Sequence, residues 1–149
     1  MDSLSGEIIG DAHHLRVRIY YEDTDFSGVV YHANYLKYFE RGRTEYMRML
    51  GVHHHHLAAL DEPLAFAVAE INVRYRAPAR IDELITVQSR LVSARGASFV
   101  IDQAIVRGDV LLATARLHVV CIDGQGRPKR LDRALMDVLK SHATGENNG

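Results

Sequence analysis

Between residues 21 and 35 the chain reads Tyr-Glu-Asp-Thr-Asp-Phe-Ser-Gly-Val-Val-Tyr-His-Ala-Asn-Tyr. Asp23 and Asp25 stand at alternate positions ahead of a Ser-Gly pair, and His32 follows Asp25 by seven residues. A carboxylate held against a bound carbonyl acts as general base or as nucleophile. Backbone N–H groups at the start of a helix carry partial positive charge and hold an anion or a developing oxyanion. Gly28 lets such a loop turn tightly and lets a ligand approach the backbone. The same residue types also serve as caps and turn formers, so an acid-rich loop before a helix has an ordinary structural use as well. Alternation along a strand leading into the loop favours Asp25 over Asp23 as the reactive acid, with Asp23 as a structural hydrogen-bonder. The His32 side chain either orients substrate or donates a proton, or it packs while its backbone acts. Tyr31 lines a ligand pocket or packs, and Asn34 contacts ligand or caps the helix.

These residues need a strand before them and a helix behind them. Arg16 to Glu22 alternates and is rich in β formers, which predicts a strand. From Ala33 to Leu50 there is no proline and only one glycine, Gly42. Leu36, Phe39, Met47 and Leu50 fall within about 80° of one another at helical spacing, and predict the buried stripe. Lys37, Arg41, Thr44, Glu45 and Arg48 lie on another face. Glu40 and Arg43, three residues apart, form a reasonable pair. Gly51 stops the helix.

Beyond it the chain is β-rich: Leu64 to Ala77, Leu84 to Ala94, Ser98 to Arg107 and Val110 to Ile122. Arg95-Gly96-Ala97 and Gly108-Asp109 are short connections, which favour antiparallel hairpins. Leu131 to Lys140 reads as a short helix. One long helix beside an antiparallel run predicts an α+β domain with the sheet packed on that helix. The expected boundaries are a single domain at 15–140, with irregular, flexible ends at 1–14 and 141–149.

At 149 residues the chain fits one domain. Lys plus Arg is 18 against 19 for Asp plus Glu, which argues against a nucleic-acid partner. No apolar run approaches the roughly 20 residues of a spanning helix. The first 11 residues carry three acids and no basic residue, unlike a signal peptide. A single cysteine, Cys121, permits no internal disulfide and suits a reducing, cytoplasmic setting. It lies in an apolar strand and reads as a small buried hydrophobe. His53 to His56 are successive and cannot all ligate one ion, although His53 and His56 share a face. They read as a solvated connection, and no metal site is expected.

The run Tyr-Glu-Asp-Thr-Asp, two further residues, then Gly-Val-Val-Tyr-His-Ala-Asn-Tyr and Phe-Glu-Arg-Gly-Arg-Thr-Glu resembles the signature of the hotdog-fold acyl-CoA thioesterases of the 4-hydroxybenzoyl-CoA thioesterase family, in particular its Tol–Pal-associated branch. Tyr75-Arg76-Ala77-Pro78-Ala79-Arg80-Ile81-Asp82-Glu83 resembles it too. The resemblance implies a hotdog fold, a long antiparallel sheet wrapped around a central helix. It implies hydrolysis of an acyl-CoA to free CoA and a carboxylic acid, with Asp25 catalytic and the backbone N–H at His32 polarising the carbonyl. Gly28, Tyr31, Asn34 and Arg76 are the expected substrate contacts. Arg74, Arg76, Arg80 and Arg95 are candidates for the CoA phosphates. No cofactor is implied, since CoA is part of the substrate. Sites between subunits imply a homo-oligomer, dimer or tetramer. The branch raises cell-envelope or phospholipid-synthesis proteins as partners, and an acyl-thioester hydratase as the rival chemistry for an Asp/His pair. Another hotdog lineage uses a carboxylate on the helix, for which Glu40 is the counterpart. The intact Asp25 loop and the Arg43 partner favour a structural Glu40.

Overall fold

The computed structural model describes residues 4–145. The outermost parts of the expected irregular ends, residues 1–3 and 146–149, lie outside the described residues. The chain forms β1 (Glu7–Ile9), β2 (Ala12–Arg18), α1 (Asn34–Met49), α2 (His54–Ala58), β3 (Leu64–Tyr75), β4 (Leu84–Arg95), β5 (Ser98–Arg107), β6 (Val110–Asp123) and α3 (Arg133–His142). Six strands make one antiparallel sheet in the order β1-β2-β4-β5-β6-β3. The helix α1 lies on one face of it. This is the hotdog arrangement, and the later strands and both longer helices fall within two residues of their expected bounds.

The start of the chain differs from expectation. The first long strand begins at Ala12, not Arg16, and a short strand precedes it. Ala12 and His13 are buried, so this segment is part of the fold and not a frayed end. Ile19, Tyr20 and Tyr21 have the higher β propensity, yet Tyr20 and Tyr21 are exposed. The Tyr20 N–H donates to Asp23 Oδ2 at 2.8 Å, which curls Tyr21–Asp23 into a 3-10 turn. Pairing of His13–Arg18 with β4 outweighs local preference here. At the other end α3 continues to His142, and the Thr144 and Gly145 N–H groups donate to Leu91 and Val92 carbonyls at 2.9 Å. Ordered structure therefore extends past both expected domain boundaries.

The buried stripe of α1 is Tyr35, Tyr38, Phe39, Gly42, Tyr46 and Met47. Leu36, expected inside, is 41% exposed. The tyrosines carry the stripe instead, rotating the helix so that Gly42 meets the sheet. A Cβ on Gly42 would stand 2.5 Å from Val87 Cγ1, so only glycine permits this approach. Beside it the buried Gln103 amide donates to the Phe39 carbonyl at 2.8 Å and to Ser89 Oγ at 2.9 Å. A buried polar side chain thus locks the middle of α1 onto β4 and β5. Ile85, Val87, Leu91, Ile101, Ile105 and Leu117 complete the core beneath the helix, all fully buried.

Candidate active site

The loop from Thr24 to Val30 is pinned on both sides. Thr24 bridges Val30, Val29 bridges Arg80, and the Val30 N–H donates to the Ala79 carbonyl at 2.9 Å. Ala79 N–H in turn donates to Tyr35 Oη at 2.9 Å, which ties the loop's support to the first turn of α1. Gly28 turns the loop with φ +82°, a left-handed conformation that disfavours a side chain. Open space surrounds its missing Cβ, so conformation and not room requires the glycine.

Asp25 sits at the crest of this loop, exposed to solvent. Its Oδ1 accepts the Ser27 N–H at 2.8 Å and the Ser27 hydroxyl. These bonds, the Ser27 hydroxyl foremost, hold its carboxyl below the usual carboxylate range against a small opposing effect of burial. Asp25 is thus ionised at neutral pH and positioned. Asp23 differs: its carboxylate is spent on Tyr20, and its carbonyl receives the Tyr31 N–H at 3.2 Å and the Asn34 side-chain amide at 2.8 Å. Asp23 is the structural acid of the pair. Asn34 does not cap α1, as expected of it; its side chain reaches back and fastens the loop.

The helix opens through a tight turn. Asn34 N–H donates to the Tyr31 carbonyl at 2.9 Å, Tyr35 to His32 at 3.4 Å and Leu36 to Ala33 at 3.2 Å. The cap residue, Ala33, has no side-chain acceptor to offer. The N–H groups of His32 and Ala33 have no acceptor among the described residues. These are the free donors at the positive end of the helix.

Tyr75, at the end of β3, is a member that sequence reasoning did not single out. Its hydroxyl donates to the His32 carbonyl at 2.9 Å. Its ring stands edge-on to Tyr35 and to His32, at 5.3 and 6.2 Å between centroids. The His32 ring is exposed and tilts against Tyr31 at 4.5 Å. Only an aromatic ending a strand before Arg-Ala-Pro could have signalled Tyr75. Arg76 follows it, exposed, with its backbone N–H on the Leu112 carbonyl at 2.8 Å. Arg80 and Arg95 are also exposed.

Farther along α1, Glu40, Arg43 and Met47 face Phe66, Val68 and Phe99 across a slot of about 140 Å³. Arg43 Nη1 is buried there without a hydrogen-bond partner. Burial lowers the Arg43 pKa and the nearby Glu40 opposes that. The Glu40–Arg43 ion pair expected from the spacing is not formed: Glu40 is near enough to favour the charged guanidinium, but no ion pair or hydrogen bond joins the two. His54 closes the slot, its ring edge-on to Phe66 at 5.7 Å. The other three histidines of the run form a cluster, with ring centroids 4.2 to 5.9 Å apart. Among the described residues no three His, Cys, Asp or Glu side chains are arranged to hold a metal ion. Cys121 is buried, and burial raises its pKa, in keeping with an inert thiol.

A hotdog sheet, an uncapped helix mouth and an ionised acid on the adjoining loop define a thioesterase-type enzyme. Residues 19–139 match the Thioesterase-like superfamily, and the chain belongs to it. An Escherichia coli protein described as acyl-CoA thioester hydrolase YbgC is 43% identical over 129 residues, covering 83% of this chain and 92% of its own. The acyl-CoA thioesterase YbgC of Haemophilus influenzae is 41% identical, covering 75% and 82%. The crystal structure of a probable thioesterase from Bartonella henselae superposes with TM-score 0.79 at 41% identity, covering 81% of this chain and 99% of that one. No helix among the described residues is long and apolar enough to cross a membrane.

Proposed function

We propose that this protein hydrolyses acyl-CoA thioesters, with Asp25 as general base or nucleophile and the His32 N–H as the donor to the thioester oxygen. This reading rests on an ionised, solvent-facing Asp25 on the loop that leads into α1 and on unclaimed N–H groups at His32 and Ala33 where that helix begins. As the thioester carbonyl is attacked, negative charge grows on its oxygen. A preorganised donor aimed at that oxygen is worth about 3–4 kcal/mol, and a positioned base contributes roughly 10²–10⁴-fold. Tyr75 holds the His32 carbonyl and so fixes the His32–Ala33 peptide, directly after the His32 N–H that meets the substrate. Gly28, Tyr31 and Arg76 are the substrate contacts in this reading, while Asn34, held by the Asp23 carbonyl, keeps the mouth in shape.

The working unit in this reading is at least a homodimer. The edge strand β3 is 12 residues long and, among the described residues, pairs only with β6 on one side. Its outer residues Val68, Ile71 and Tyr75 are 42%, 38% and 47% exposed. A long apolar edge needs a cover. Antiparallel pairing with the same strand of a second copy would bring the Tyr75 end of one β3 beside the Phe66 end of the other. The slot at Phe66 and Arg43 lies about 12–16 Å from His32 along its own helix, at 1.5 Å per residue. Across such an interface it becomes the acyl pocket of the neighbouring mouth.

A free-thiol assay over a panel of acyl-CoAs tests the reaction, with Asp25→Asn as the control. Thiol release by the native protein that is lost in Asp25→Asn is expected. Turnover of β-hydroxyacyl-CoA to enoyl-CoA without thiol release would instead mark a hydratase. Sedimentation equilibrium, expected to return at least twice the 16.8 kDa chain mass, tests the assembly.

A further inference from the structure

The sheet face turned away from α1 carries a cavity of about 450 Å³. Strand register explains its shape. Arg74, Thr114, Ala104 and Gln88 lie side by side across β3, β6, β5 and β4. The next row on that face is Asn72, Arg116, Asp102 and Arg90. The short side chains of Ala104 and Thr114 leave a dish, and three arginines stand round its rim.

Two of the three guanidiniums are already engaged. Arg116 grips Asp102 with two bonds, at 2.6 and 2.8 Å. Arg90 Nη2 donates to Asp11 at 3.0 Å. Arg74 has no ion-pair partner among the described residues. Arg90 Nε is buried without a hydrogen-bond partner. By contrast, Arg107 at the neighbouring end of the sheet is paired with Glu83, its Nη1 donating to Glu83 at 3.0 Å and to the Pro78 carbonyl at 3.1 Å. The dish therefore combines uncompensated positive charge, an unused buried donor and a recess. Planar guanidiniums match phosphate oxygens in just this way, with several donors to one anion.

We propose that this dish is a binding site for a phosphate-bearing small molecule, held by Arg74 and Arg90 over Ala104. It is separate from the helix mouth and does not depend on the hydrolase reading. Phosphate esters reach it from two sources: the nucleotide end of CoA itself, or a free phosphate compound.

Calorimetric titration of the native protein with inorganic pyrophosphate, and separately with adenosine 3′,5′-bisphosphate, tests the site. Binding should weaken at least tenfold in Arg74→Gln and in Arg90→Gln, with the melting curve of Arg74→Gln unmoved. Asp102→Asn frees the Arg116 fork and should tighten binding severalfold, a gain that no purely structural role for these residues would give. Binding of the bisphosphate alone, with a raised KM for acyl-CoA in Arg74→Gln, assigns the dish to CoA. Binding of pyrophosphate with KM unchanged assigns it to a free phosphate compound. Failure of both ligands to bind at millimolar concentration, or equal affinity in the native and both arginine variants, overturns the proposal.

Discussion

The two longer helices begin in opposite ways. At α3, Asp132 accepts the Leu135 N–H at 2.7 Å, an ordinary cap that satisfies the helix from its own sequence. At α1 the corresponding place is held by Ala33, which offers nothing, and two N–H groups are left over. An exposed helix end can leave donors to water at little cost, so the lack of a cap is not a defect. What distinguishes α1 is how much surrounds the uncapped end: Asn34 fastened to Asp23, Tyr75 fastened to His32, Tyr35 fastened to Ala79. Side chains that would ordinarily close the helix are used to hold its opening still. One helix start is finished by the chain; the other is left open, where the proposed mechanism seats the substrate.

This contrast separates residues that serve activity from residues that serve stability. Its strongest test is Asp25→Asn, which should cut kcat/KM in the thiol-release assay by at least roughly 10²–10⁴-fold while leaving the melting temperature within error, because the side chain is solvent-exposed. A matching loss of stability would erase the distinction. Gly42→Ala should do the reverse. Its added methyl meets the stiff Val87 side chain, and overpacking of that kind costs about 1–3 kcal/mol, read from urea unfolding, with kcat per folded molecule kept. Asp132→Ala should cost about 1 kcal/mol, the usual worth of a cap, again without change in kcat/KM.

The smallest effect is on pH dependence. In the proposed mechanism the ionised form of Asp25 is the active one, and Ser27 donates to that form, so its pKa is lowered. Activity is therefore present above this depressed pKa and lost as pH falls through it. Ser27→Ala removes the hydroxyl donor and should shift the acid limb of kcat/KM upward, toward the ordinary carboxylate range. A limb that stays in place would mean another group sets it.

Much of this architecture could be read before any coordinates. Alternation with Gly96 and Gly108 at the turns marks β4, β5 and β6, and an uninterrupted helical period marks α1. The loop acids were legible because their spacing is local. What could not be read depends on partners distant in sequence. Leu36 looks like a core residue until the tyrosines turn the helix by packing on the sheet. Ala12 to Leu15 become a strand only because β4 is there to pair with. Asn34 has the chemistry of a cap and is used as a tether, since its acceptor lies 11 residues back on a curled turn. Tyr75 reaches His32 across 43 residues, a contact no local pattern announces.

That last contact also has a bearing on how the molecule would respond to being diluted. The strand supplying the Tyr75 hydroxyl is the outermost rail of the sheet, and whatever docks along that rail steadies the carbonyl of His32. If the proposed dimer pairs there, loss of the neighbour would let the rail waver, and the alignment of the mouth with it, so that turnover per polypeptide would decline at low protein concentration before any unfolding began.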